Sequence, residues 1–72
     1  MAPTRDREYD SFLKRLAQAR HDVGLTQAEV ASRLKKPQSF VSKCETGERR
    51  VDVVELKRFG EVYGRSLDWF VA

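Results

Sequence analysis

Hydrophobic positions along this chain recur at three- and four-residue intervals, and no segment alternates with the two-residue period of a half-buried strand. Phe12, Leu13, Leu16, Arg20 and Val23 share one face at helical spacing. They predict a first helix that starts between Thr4 and Asp10 and stops at Gly24. Thr26 then sits where an N-cap belongs. Glu29 follows three residues on, and Leu25 and Val30 flank the pair as a hydrophobic staple. A second helix over Gln27–Leu34 turns Val30, Ala31 and Leu34 inward. Lys35-Lys36-Pro37 breaks it, because Pro37 disfavours helical backbone at Lys36 yet is tolerated in the first turn of the next helix. That third helix runs from about Pro37 or Gln38 to Thr46, and Gly47 ends it.

A second capping box follows, with Asp52 as cap, Glu55 reaching back and Val51 with Leu56 as staple. The fourth helix runs to Tyr63 and stops at Gly64, with Leu56, Phe59, Val62 and Tyr63 on its apolar face. Gly60 in its interior costs up to ~1 kcal/mol relative to Ala, so a close helix contact is expected there. Ser66 caps a short last helix. In it Leu67 and Phe70 share the inward face, which leaves Trp69 and Val71 exposed enough for a dimer contact. The pattern as a whole predicts an all-α fold of five helices, one domain over residues 1–72, with residues 1–5 fraying.

The third helix has an unusual outer face. Val41 and Cys44 point inward with Glu45 beside them. Ser39, Ser42, Lys43 and Thr46 point outward, and Gln38 and Phe40 lie on the flanks. A helix that only meets water usually carries charge pairs there. Two helices joined by a tight turn form a helix-turn-helix, here over about 26–46, and its second helix suits a DNA major groove. Gln38 can pair bidentately with adenine, Lys43 can reach guanine or a phosphate, and Ser39 and Ser42 read bases less selectively. Phe40 is an aromatic expected to touch a thymine methyl or to pack on the edge of the second helix. Phosphates would be held by the start of the second helix with Gln27, and by Arg49 and Arg50 after the third. Lys36, Lys35 and Arg33 are weaker candidates.

Charge supports this reading through its distribution. The formal net charge is only +3. Between Arg33 and Arg50, however, stand six basic residues and two acidic ones, while the rest of the chain is acidic by one. The excess therefore surrounds one segment, as binding to a polyanion requires.

The residues from about Leu16 to Phe70 resemble the phage-repressor/Cro-like helix-turn-helix family, also called XRE. The resemblance is carried by Arg20, Leu25-Thr26-Gln27, Val30-Ala31, Val41-Ser42-Lys43, Glu45, Gly47 and the Leu56…Gly64…Leu67…Phe70 tail. It implies a compact five-helix, lambda-repressor-like domain acting as a homodimeric transcription regulator, most simply a repressor, on near-palindromic double-stranded DNA. It also implies a partly buried salt bridge between Arg20 and Glu45. Two positions depart from the family. Lys35 stands where Gly is common, so a left-handed backbone there would cost energy. Cys44 replaces a larger apolar residue, which suggests looser packing.

Other classes find less support. A single cysteine, Cys44, permits no intrachain disulfide and is expected to be a small core residue. His21 is the one histidine, so neither a metal site nor a cofactor is expected. No nucleophile–base pair or carboxylate pair suggests an enzyme. The polar N-terminus and the lack of ~20 consecutive apolar residues suggest a soluble, cytoplasmic, nucleoid-associated protein. A chain of 72 residues leaves little room for a small-molecule effector domain. An antitoxin or an adaptor using this fold to bind protein is the alternative. The chain's end soon after Val71 shows no partner-binding tail that would favour it.

Overall fold

The Asp6 carboxylate accepts the Glu8 N–H at 2.9 Å and opens α1 (Arg7–Asp22). The structure, a computed structural model, describes residues 6–72. The expected fraying of residues 1–5, and a start of the first helix as early as Thr4, fall outside the described residues. Four more helices follow: α2 (Gln27–Leu34), α3 (Gln38–Thr46), α4 (Val53–Tyr63) and α5 (Leu67–Val71). No strand occurs among the described residues. Both capping boxes form. Thr26 Oγ accepts the Glu29 N–H at 3.1 Å, and Asp52 Oδ1 accepts the Glu55 N–H at 2.7 Å.

The three turn residues between α2 and α3 fix the angle of the motif. Lys35 adopts the left-handed conformation (φ 58°, ψ 45°). A side chain there costs roughly 1 kcal/mol relative to Gly. In return the Lys35 and Lys36 N–H groups reach Ser32 O and Ala31 O, closing the end of α2. Pro37 holds the position before α3 in extended backbone (φ −64°, ψ 153°) and offers no side-chain cap.

The core is one cluster drawn from every helix. Leu16 and Ala19 of α1, Val30 of α2, Val41 and Cys44 of α3, Phe59 of α4 and Phe70 of α5 are fully buried. At Gly60 a Cβ would lie 2.6 Å from Arg65 O, so the turn after α4 folds back on the helix where only glycine fits. Two apolar residues stand outside this core, contrary to the sequence pattern. Val23 ends α1 as its C-cap and is 44% exposed, and Leu67 is 40% exposed in the single turn of α5.

Candidate nucleic-acid interface

Four of the five described helices begin with a side chain that accepts a backbone N–H; α3 does not. Pro37 has no side-chain acceptor to offer; the Phe40 N–H bonds Pro37 O at 3.0 Å, and the Gln38 and Ser39 N–H groups are left for an outside acceptor. Gln38, Ser39 and Lys43 are exposed and Ser42 is half-buried. None of these four side chains hydrogen-bonds within the described residues. The outer face of α3 is therefore polar and available. At the start of α2 the capping box occupies the Thr26 and Glu29 N–H groups. Those of Gln27 and Ala28, between them, are left for an outside acceptor. The Gln27 side chain is half-buried and partly engaged. It turns inward and donates to Glu45 Oε1 at 3.0 Å.

Glu45 anchors the far end of α3. Arg20 of α1 donates to it through Nε at 2.7 Å and Nη2 at 3.0 Å, and through Nη1 to Leu25 O at 3.1 Å. The two side chains are only 12% and 7% exposed, so this is a nearly buried pair. The hydrogen bonds to Glu45 hold the Arg20 guanidinium above its ordinary pKa. The Tyr63 hydroxyl is buried with no hydrogen-bond partner. Burial first, and then the field of Glu45, push its pKa far up and keep it a neutral phenol. Cys44 is buried too, and desolvation raises its thiol pKa, which makes it a packing residue rather than a reactive one.

Phe40 packs against the body of the domain. Its ring is half-buried and stacks on Phe59 of α4, with centroids 6.1 Å apart and planes 7° apart. The Arg49 guanidinium lies 4.8 Å, and Lys36 Nζ 5.3 Å, from its ring centre. A ring turned toward α4 and crowded by two cations is not placed to touch a thymine methyl. Leu34 of α2 and Lys36 of the turn line the same shallow cavity as Phe40, so the ring also borders the end of α2.

Arg49 also departs from the open cationic clamp that the sequence suggests. Nη1 and Nη2 each donate to one Glu55 oxygen at 2.8 Å, and Nη1 reaches Arg50 O at 2.9 Å. These bonds hold the Glu55 carboxyl below its ordinary range. Arg50 is exposed, with its guanidinium 4.3 Å from the Tyr9 ring centre, and Lys36 is exposed in the turn.

Trp69 was placed on the surface by the helical wheel, but it is half-buried. Arg15 and Arg65 lie 5.6 and 4.6 Å from its ring centre, and Arg15 Nη1 donates to its carbonyl at 2.6 Å. The residue clamps α5 to α1. Val71, by contrast, is 69% exposed. Sequence reasoning also missed the Tyr9 hydroxyl, which accepts the Val51 N–H at 3.1 Å, and the pairing of Asp22 with Arg65 at 3.2 Å. Neither pair has a short, regular spacing that could have revealed it.

No group of three or more His, Cys, Asp or Glu among the described residues could hold a metal ion. No described helix is long and apolar enough to cross a membrane. A family model described as a helix-turn-helix domain matches residues 12–68. No curated protein matches the chain. Among solved structures the chain is similar to an XRE-family like protein from Pseudomonas syringae pv. tomato str. DC3000. The two are 44% identical, the match covers 89% of this chain and 78% of that one, and the TM-score is 0.83.

Proposed function

The chain belongs to the XRE-type helix-turn-helix family, and from that premise we propose that it is a sequence-specific regulator of transcription, acting as a repressor. The observation that carries this reading is the outer face of α3, whose start is uncapped and whose Gln38, Ser39, Ser42 and Lys43 side chains keep no partner among the described residues. A turn-linked helix that carries such residue types on its outer face, at a start with no side-chain cap, suits an outside ligand. Base edges of the major groove offer what these residue types bind. Gln38 and Lys43 read bases, with Ser39 and Ser42 beside them. Arg50, Lys36 and the free N–H groups of Gln27 and Ala28 take phosphates. Phe40 is not among the base contacts.

The protein acts as a homodimer on a near-palindromic operator, with half-site centres ~34 Å apart, one turn of the duplex. The exposed valines support a second copy as partner: Val71, with Val53 and Val54 at the start of α4, 67% and 57% exposed. This is a binding protein, not an enzyme, and its place is on the nucleoid in the cytoplasm.

Selection from a randomised duplex pool at physiological salt, beside a Gln38→Ala/Lys43→Ala variant, tests the reading. A near-palindromic motif that the variant loses or relaxes is the expected result. Binding that the variant keeps in full, dependent only on salt, would mean that α3 does not read bases. A protein partner would then be the reading to pursue.

A further inference from the structure

We propose that Arg49, gripped by Glu55 and lying against Phe40, is a positioning residue that sets how α3 enters the groove, and is not a phosphate contact. This rests on the DNA-reading function proposed above. α3 packs its backbone closely against α1 and α2, and reaches α4 mainly through side chains. On that side two contacts fix its rotation about its own axis. Phe40 of α3 stacks on Phe59 of α4, and Arg49 covers the Phe40 ring while its fork closes on Glu55 at the start of α4. The Arg49 N–H also bonds Lys43 O at 3.1 Å, so the same residue ties the end of α3 to α4.

The Glu55 carboxylate offsets much of the Arg49 charge and takes two of its five N–H donors, so a phosphate gains less from Arg49 than from an unpaired cation. Arg50 and Lys36 carry no such internal ion pair among the described residues. The two roles separate by chemistry. A phosphate contact needs only a positive charge, which Lys supplies. A strut needs the planar fork and the flat face of a guanidinium, which Lys lacks.

The phosphate role predicts uniform weakening across sequences, whereas a strut for the reading helix predicts loss of discrimination. The test compares affinity for the duplex selected by the wild-type protein with affinity for an unrelated duplex. It uses fluorescence anisotropy over a range of salt, on samples shown folded by circular dichroism. Arg49→Lys and Glu55→Gln are each expected to lower the ratio of the two affinities about tenfold or more, roughly one good base contact. Arg49→Lys should leave binding to the unrelated duplex and its salt slope near wild type. Arg50→Ala should weaken both duplexes alike and reduce the slope by about 1. A residue that only stabilised the fold would lower the melting temperature and leave the ratio unchanged in folded samples. An unchanged ratio in Arg49→Lys, or Glu55→Gln binding both duplexes more tightly with a steeper slope, overturns the proposal. A wild-type protein that selects no sequence overturns the DNA-reading function and this proposal with it.

Discussion

Replacing Arg20 with Ala should destabilise the fold by about 3–5 kcal/mol, the usual cost of stranding one member of a buried ion pair. The magnitude follows from burial. An exposed pair is worth at most about 1 kcal/mol, but Arg20 and Glu45 are 12% and 7% exposed. Without Arg20 the Glu45 carboxylate keeps only the Gln27 amide, and Leu25 O loses its donor. A domain of 72 residues has roughly 4–11 kcal/mol of stability in all, so much of it would go. Urea unfolding followed by circular dichroism is the assay. With a slope near 1 kcal/mol/M for a protein this small, the midpoint should fall by about 3 M or more. The double variant Arg20→Met/Glu45→Leu separates the mechanism from general damage, because removing both charges avoids the stranded carboxylate. It should recover at least half of the loss. An Arg20→Ala midpoint within about 0.5 M of wild type, or a double variant no better than the single, would refute the reasoning.

Gly60→Ala should destabilise by about 1–3 kcal/mol, because its Cβ meets Arg65 O at 2.6 Å. Helix propensity alone predicts a gain of up to ~1 kcal/mol, so the sign of the change in melting temperature decides between them. Tyr63→Phe should raise stability by up to about 1 kcal/mol, since the buried hydroxyl has no partner; a drop in melting temperature would point to a hydrogen bond that forms in solution. The Arg49 hydrogen bonds lower the Glu55 pKa in the folded state, so the stability they confer is present above the unfolded value and fades as pH falls through the folded one. Melting temperature should therefore decline as pH drops below about 4.5, the ordinary value, and Glu55→Gln should flatten part of that decline. Trp69→Ala should cost about 1–3 kcal/mol through lost packing of a half-buried ring against α1, whereas Val71→Asp should leave stability near wild type and weaken self-association in sedimentation experiments.

Helix ends were legible because their signals are local. Thr26 with Glu29 and Asp52 with Glu55 are complete within four residues, and Gly47 and Gly64 end helices where a left-handed residue is needed. The orientation of single side chains was less so. Phe40 lies on the flank of α3, and whether it faces solvent depends on Phe59, nineteen positions away on another helix. α5 spans only five residues, too few for helical periodicity to define a face. Its wheel accordingly placed Leu67 and Trp69 on the wrong sides. Arg49 and Glu55 pair across a loop with no repeating geometry, so no spacing rule connects them. The open face of α3 was legible for the opposite reason, since residues that make no internal contact are described by their own chemistry alone.

The division of labour along α3 explains how a helix of nine residues can hold a defined posture. Helices this short are marginal on propensity alone and take their stability from packing. Only Val41 and Cys44 are buried on α3, a narrow footing that leaves rotation about its axis poorly fixed. Polar and aromatic contacts on the flanks supply what the apolar stripe lacks. Glu45 is held to α1 by Arg20 and to α2 by Gln27, while Phe40 and Arg49 hold the opposite flank to α4. These directional contacts use residue types that could themselves have bound DNA. Gln27 and Arg49 are engaged in contacts within the protein, although the Arg49 side chain stays 43% exposed, while Gln38, Ser39, Ser42 and Lys43 keep no partner among the described residues. A reading helix discriminates between bases only if its donors and acceptors arrive in register. On the function proposed above, Arg49→Lys therefore separates a fixed angle of α3 from one more phosphate contact, because only the first predicts lost discrimination.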